Sequence, residues 1–208
     1  MTSVIEQFRT IPTTAASDAQ KGMNNLDSSI KPLQDHYHIA GPARTVQLPV
    51  GDNAMLLKAM QEAKPGDILV VDAKGDTYRA IAGDFVVGMM QTLELGGLVV
   101  DGVIRDMNDI RELNFPVFSK GSAVASGSKN GPGNVNEAIS CGSAAVSNGD
   151  IIIGDTDGVT VVPRQQAETV LQAAQDKLAK DEARDKKISG DKTEIQAYLQ
   201  HMVEKSKS

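Results

Sequence analysis

Apolar residues recur along this chain with two spacings, and the switch from one to the other marks its elements. Ile68–Asp72, Leu98–Val100 and Pro116–Ser119 are short runs with continuous apolar centres, and in Thr45–Leu48 the apolar Val46 and Leu48 alternate with polar residues. Bounded by turn residues such as Pro65-Gly66-Asp67, they read as buried strands. Between them apolar residues return every three or four positions. Met55, Leu56, Ala59, Met60 and Ala63 form one such stripe, and Phe85, Val86, Met89, Met90 and Leu93 form another. The second predicts a helix over Asp84–Leu95, with Asp84 as its N-cap and Gly96-Gly97 as its stop. A shorter helix is expected over Met107–Leu113. Strands flanked by helices support an α/β or α+β sandwich.

The rest of the chain is read in the same way. A short helix is expected within residues 1–12, then another from Thr13 or Thr14 to about Met23. Tyr78–Ala82, Ala138–Cys141, Ala144–Val146, Ile151–Gly154 and Val159–Val162 read as strands, with Asp157-Gly158 as a hairpin turn between the last two. After Pro163 a long helix runs to about Ile188, with Val170, Leu171, Ala174 and Leu178 as its apolar stripe. Its second half, KDEARDKK, is charged all round. Gly190 stops it, and Glu194–Glu204 forms a last helix. No linker composition splits the chain, so residues 1–208 are expected to form one domain, with about 164–208 as a C-terminal helical extension.

Composition narrows the function classes. Hydrophobic residues make up 40% and charged residues 23%, as in ordinary globular proteins. Aromatics are only 3% with no Trp, so the core must be aliphatic. A net charge of −6 argues against a nucleic-acid partner, which usually meets a basic surface. No run reaches transmembrane length, and MTSVIEQFRT lacks the apolar centre of a signal peptide. Cys141 is the sole cysteine, which excludes an intrachain disulfide and points to the cytoplasm. Its neighbours suit a packing residue better than a nucleophile.

Candidate chemistry concentrates in Gly83–Asp106. A helix N-terminus there offers free N–H groups to an anion, and Arg105-Asp106 adds a guanidinium and a carboxylate. Taken alone, the simpler reading is a capped core helix with a surface ion pair. Elsewhere the signals are weaker. His36 and His38 lack a third ligand at a recognisable spacing. GSAVASGSKNGPG, which carries Lys129, lacks the ending of a phosphate-binding P-loop. Asp155-Thr156-Asp157-Gly158 lacks the remaining ligands of a calcium loop.

Asp84, twenty intervening residues and then Arg105-Asp106 resembles the signature of the divalent-metal-dependent aldolases that cleave 4-hydroxy-4-methyl-2-oxoglutarate. That family is related to the regulators of ribonuclease E activity of type A (RraA-like). The resemblance extends through Thr13–Ala19, Gly41-Pro42-Ala43, Gly51-Asp52-Asn53, Pro65–Asp72, Pro116–Phe118 and Gly149-Asp150 to Pro163, about residues 10–165. It implies a layered α/β/β/α sandwich of the swivelling-domain type, assembled as a homotrimer or a dimer of trimers. It also implies a small anionic keto-acid substrate, a Mg²⁺ or Mn²⁺ cofactor, and release of pyruvate, with oxaloacetate decarboxylation at the same site.

By the same resemblance, Arg105 stabilises the enolate oxygen, Asp106 anchors the metal, and Asp84 holds a water that protonates the enolate carbon. Gly83 and the amides of Phe85 and Val86 receive the pyruvate carboxylate, and Asn53 and Lys129 contact substrate. A carboxylate from a neighbouring subunit is expected to reach the metal's water shell. Helix register points to Glu182, with Asp181 as the alternate. The loop Ser126–Gly133 departs from the family pattern, which leaves the substituent at C4 open. The resemblance also covers a non-catalytic regulator of ribonuclease activity and a lyase for a sugar-derived keto acid. Retention of Asp84, Arg105 and Asp106 together favours the aldolase.

Overall fold

A computed structural model describes residues 3–205; the chain ends of the 1–208 assignment lie outside the described residues. Helices α1 (Val4–Phe8) and α2 (Thr13–Ala19) lead into strands β1 (Lys31–Pro32) and β2 (Ile39–Gln47). There follow α3 (Ala54–Glu62), β3 (Ile68–Asp76), β4 (Arg79–Ala80), α4 (Asp84–Thr92), β5 (Gly97–Gly102), α5 (Met107–Leu113) and β6 (Val117–Ser119). Six short strands come next: β7 (Ala125–Ser126), β8 (Asn134–Val135), β9 (Ile139–Cys141), β10 (Ala144–Val146), β11 (Ile151–Asp155) and β12 (Gly158–Val162). A 3₁₀ turn then enters α6 (Ala167–Ile188), and α7 (Lys192–Lys205) follows.

The main sheet runs β1-β6-β5-β3-β2-β11-β12, with β8 also paired to β2. β2, β3, β5 and β6 are mutually parallel. Each step between them is a helical crossover, as parallel strands require. β11 pairs antiparallel with both β2 and β12, folding the sheet toward closure.

Strand alternation sorts the apolar side chains into three cores. Leu69 and Val71 of β3 face α3, α4 and α5, packing with Leu56, Met60, Val87, Met90 and Ile110. Their neighbours Ile68 and Val70 face the other way, onto Cys141 and Val146 of the β9–β10 hairpin and Ile152 and Val161 of β11–β12. Ile151, Ile153 and Val162 turn outward to Phe8, Ala16, Val170, Leu171 and Ala174 of α1, α2 and α6. The layers are therefore helix, sheet, sheet, helix: an α/β/β/α sandwich built on aliphatic residues. Each fully buried aliphatic side chain contributes roughly 1.5–3 kcal/mol.

Several elements differ from the sequence reading. α2 ends at Ala19 rather than near Met23, because Lys21 and Gly22 take positive φ. β2 begins at Ile39, six residues before Thr45, since its first half pairs with β11. α4 stops at Thr92 in a Schellman motif: Leu95 N–H bonds Met90 C=O and Glu94 N–H bonds Gln91 C=O, with Glu94 at φ 57. Gly97, expected as part of the helix stop, belongs to β5, which runs on through Asp101 and Gly102. α4 buries Val87 and Met90, whereas Phe85 is 74% exposed and Leu93 is exposed as well. Among the described residues no helix is long and apolar enough to cross a membrane.

Candidate active site

A cleft of about 500 Å³ opens where the C-terminal ends of β3 and β5 meet the start of α4. It is lined by Asn53, Gly83, Asp84, Phe85, Val86, Arg105, Asp106 and Lys129, with Ala80–Ala82 and Ser126-Gly127 as its floor and wall. Every site residue expected from the sequence is here except Glu182.

Backbone pairing brings these distant segments together. Ile81 N–H bonds Val103 C=O and Arg105 N–H bonds Ala82 C=O, laying the segment after β4 beside the segment after β5. Ile104 N–H bonds Gly121 C=O, and β4 pairs in parallel with β7, adding the loop that carries Lys129. Asn53 Nδ2 donates to Ile81 C=O at 2.9 Å, tying the start of α3 to the same floor.

Gly83, and not Asp84, is the N-cap of α4, and it has no side chain to cap with. Asp84 is the first helical residue. The first intrahelical bond runs from Val87 N–H to Gly83 C=O, so the N–H groups of Asp84, Phe85 and Val86 have no acceptor within the helix. Those donors and the positive end of the helix dipole front the cleft. Asp84 itself is exposed and makes no protein ion pair or hydrogen bond.

Asp106 holds a left-handed backbone, φ 58 and ψ 41, at the N-terminus of α5, and its side chain caps nothing. A non-glycine residue in this conformation carries a cost, and such sites cluster at functional centres. Asp106 Oδ2 accepts instead from Arg105 Nε at 3.1 Å. That contact leaves both Nη groups of Arg105 without a protein partner, and the side chain is partly exposed to the cleft. Gly83 makes this packing possible, because a β-carbon there would overlap Asp106 Oδ2 and press on Arg105.

Asn53 is 7% exposed, and its amide orientation is fixed because Ile81 C=O can only accept. Oδ1 is left buried with no partner, which calls for an explanation in a folded protein. Asn53 occupies the N-cap position of α3, but its side chain makes no capping bond. Asp52, one residue earlier, supplies the bond instead, accepting from Ala54 N–H at 2.8 Å through Oδ1. Its Oδ2 accepts from Ser128 Oγ at 2.8 Å, Asn130 N–H at 2.7 Å and Gly131 N–H at 2.9 Å. Burial alone would raise the Asp52 carboxyl, but these donors outweigh it and hold the pKa down to about 2. The sequence reading gave Asp52 no role. An acid just before a helix announces a cap, and nothing local announces partners 76 to 79 residues away.

Glu182 does not join this cleft within one chain. It lies on α6, in the helical layer packed on α1 and α2, where it is exposed and paired with Lys186 at 2.6 Å. Asp181 is engaged by both Lys177 and Arg184, at 2.5 and 2.8 Å. Of the two, Glu182 is the less committed to its own chain. His36 bonds Asn114 Oδ1 at 2.8 Å in an irregular segment, not on a strand. Cys141 is buried, and burial, with Asp101 and Asp72 nearby, pushes its thiol far above the thiolate range.

Among the described residues no group of three or more His, Cys, Asp or Glu side chains could hold a metal. The cleft does offer uncapped Asp106 and unpaired Asp84 beside an anion-binding helix start. This donor set fits a hard cation that keeps much of its water and shares oxygens with a ligand, as Mg²⁺ does. It does not fit a zinc site closed by protein ligands.

Arginine, an aspartate that caps no helix, and free helical amides gather around one polar cleft. Residues 13–161 match the RraA-like family (aldolase/RraA), and the chain belongs to that family. It is 55% identical over 202 residues to a protein of Halalkalibacterium halodurans named "Putative 4-hydroxy-4-methyl-2-oxoglutarate aldolase", covering 97% of this chain and 96% of that one. Its fold is similar to an uncharacterized protein from Pseudomonas syringae pv. tomato, with TM-score 0.83 and 25% identity over 96% of this chain and 94% of the other. It is also similar to the RNA-processing inhibitor RraA of Thermus thermophilis, with TM-score 0.67 and 26% identity over 73% of this chain and 92% of that one.

Proposed function

We propose that the protein is a divalent-metal-dependent lyase that cleaves 4-hydroxy-2-oxo acids, 4-hydroxy-4-methyl-2-oxoglutarate among them, and releases pyruvate. The observation that carries this reading is the single cleft in which Arg105, with both Nη groups free, stands beside uncapped Asp106 and the open amides of α4. The aldolase name of the 55%-identical relative supports the same reading.

Cleavage of the C3–C4 bond leaves the electron pair as an enolate, with negative charge on the C2 oxygen. The C4 hydroxyl loses a proton and C3 gains one, so the reaction needs no net proton. The amides of Phe85 and Val86, with Gly83 allowing close approach, receive the C1 carboxylate. The Arg105 fork meets the C2 oxygen as charge develops there, a contribution typically of ~3 kcal/mol for one aimed donor. Asp84 holds the water that delivers a proton to C3. Asn53 and Lys129 contact the distal half of the substrate. Asp106 would hold the Mg²⁺ or Mn²⁺, with Glu182 of a neighbouring subunit facing its water shell; the cation supplies Lewis acidity at the keto oxygen. Oxaloacetate decarboxylation follows from the same site, because loss of CO₂ leaves the same enolate.

Phe85 of the cleft is 74% exposed and Val124, in the adjoining hollow on the other side of Arg105 and Asp106, is 97% exposed, apolar surface suited to burial between subunits of a homotrimer or a dimer of trimers. A single buried cysteine suits a cytoplasmic setting. The solved RraA-type relatives keep open the second reading, a ribonuclease regulator acting by protein binding. Pyruvate release from a panel of 4-hydroxy-2-oxo acids, with Mg²⁺ and after exhaustive chelation, tests the proposal. Activity lost in EDTA and restored by Mg²⁺ or Mn²⁺ is expected, and no release from any substrate would leave the regulator reading standing.

A further inference from the structure

We propose that Asp52, which touches no substrate, is a positioning residue that sets Lys129 against Asn53 across the cleft. Its two oxygens join the start of α3 to the loop that carries Lys129. Oδ1 holds Ala54 N–H in the first turn of α3, next to Asn53, and Oδ2 holds Ser128 Oγ and the N–H groups of Asn130 and Gly131 on both sides of Lys129.

The backbone completes the clamp. Ser128 N–H bonds Gly51 C=O at 2.7 Å, and Asn53 N–H bonds Ser128 C=O at 2.9 Å. Gly131 permits the close approach, since a β-carbon there would lie 2.6 Å from Pro49 Cγ and 3.1 Å from Asp52 Cγ. Lys129 itself has no protein ion pair or hydrogen bond and is exposed to the cleft. A long, flexible ammonium side chain is a poor reader of substrate shape unless the backbone that carries it is fixed. Asp52 fixes that backbone with charge-assisted bonds, the stronger kind.

A carboxylate is required, since its second oxygen meets three donors and can offer no hydrogen of its own. Asparagine has the same shape but would present its NH₂ to one of the two donor sets. The loop would then be released while α3 kept its start, or the reverse.

The kinetic part of the test rests on the lyase reading. Asp52→Asn is expected to raise KM for a 4-hydroxy-2-oxo dicarboxylate about tenfold while kcat falls much less. Exchange of pyruvate's methyl protons with D₂O, which draws on the Arg105 end of the cleft, should change by less than about twofold. In a Lys129→Ala background Asp52→Asn should add less than about twofold to KM, because the group it positions is gone. Additive effects, or parallel losses in cleavage and methyl exchange, would overturn the proposal. Should Asp52→Asn fail to fold, Ser128→Ala removes one of the three loop donors and is expected to show the same KM pattern at smaller amplitude. A second readout needs no catalysis: amide hydrogen exchange at Asn130 and Gly131 should accelerate at least about tenfold in Asp52→Asn, with β3 and β5 unchanged. Unchanged exchange at those amides would remove Asp52 as the anchor. If the wild-type protein released no pyruvate from any substrate, the lyase reading would fall, and the amide exchange would still decide whether Asp52 holds the loop.

Discussion

Asp106 Oδ2 occupies the space that a β-carbon on Gly83 would need, and the same carbon would lie 3.2 Å from Arg105 Nε. The missing side chain at position 83 is what lets the Arg105–Asp106 pair close against the first turn of α4. Gly83 has φ −130 and ψ −174, extended backbone open to any residue, so the requirement is for space and not for an unusual conformation.

Gly83→Ala should therefore separate activity from stability. The added methyl must push the pair outward, and kcat for pyruvate release is expected to fall about 100-fold, the loss typical of a displaced oxyanion donor. The thermal midpoint should move by no more than about 3 °C. An alanine variant with wild-type kcat would show that the pair works equally well displaced.

Arg105→Ala should lower kcat by at least about 100-fold, since the guanidinium acts where charge develops. Arg105→Lys should recover little, because an ammonium cannot both hold Asp106 and present a planar fork. Steady-state kinetics decide the matter. Variants that kept kcat and lost only KM would make Arg105 a binding group.

Acid should weaken the Lys129 loop through Asp52. Its folded-state pKa of about 2 lies below the ordinary 3.8, so ionisation favours the folded form. That contribution is fully present above the unfolded value and fades as pH falls through the folded one. The stability difference between wild type and Asp52→Asn should stay constant above about pH 4 and shrink toward pH 2. Denaturant midpoints across that range measure it, and a difference that widened on acidification would contradict the assignment.

Mixed oligomers test whether Glu182 serves a neighbour. Asp106→Ala and Glu182→Ala subunits, each inactive alone, should regain activity when combined, because some interfaces then carry both intact groups. Verified mixed oligomers with no recovered activity would confine the site to one chain.

Alternating helix and strand periods made an α/β sandwich legible and the family resemblance its layering, and Asp84, Arg105 and Asp106, singled out by their spacing, do line one cleft. What escaped had its cause far away in the chain. Helical spacing puts Phe85 and Leu93 in one stripe with Met90, yet the helix buries Val87 and Met90 and leaves Phe85 and Leu93 exposed. Phe85 stands at the cleft instead, because the start of α4 faces that way. Glu94 carries the left-handed turn that Gly96-Gly97 was expected to make, since hydrogen bonds to Gln91 and Met90 hold it there. Asn53 stands at the N-cap position of α3, yet its neighbour Asp52 takes the capping bond.

The left-handed backbone of Asp106 has a consequence for how this site can change over generations. Of the acidic residues, aspartate is the one whose short side chain tolerates that conformation by bonding locally, and glutamate gains no such relief. An extra methylene would also carry the carboxylate past the hollow left by Gly83. Asparagine and glycine fit the backbone readily. A lineage freed from catalysis can therefore drift to either with its fold intact, while one that keeps catalysis is held to a single acid.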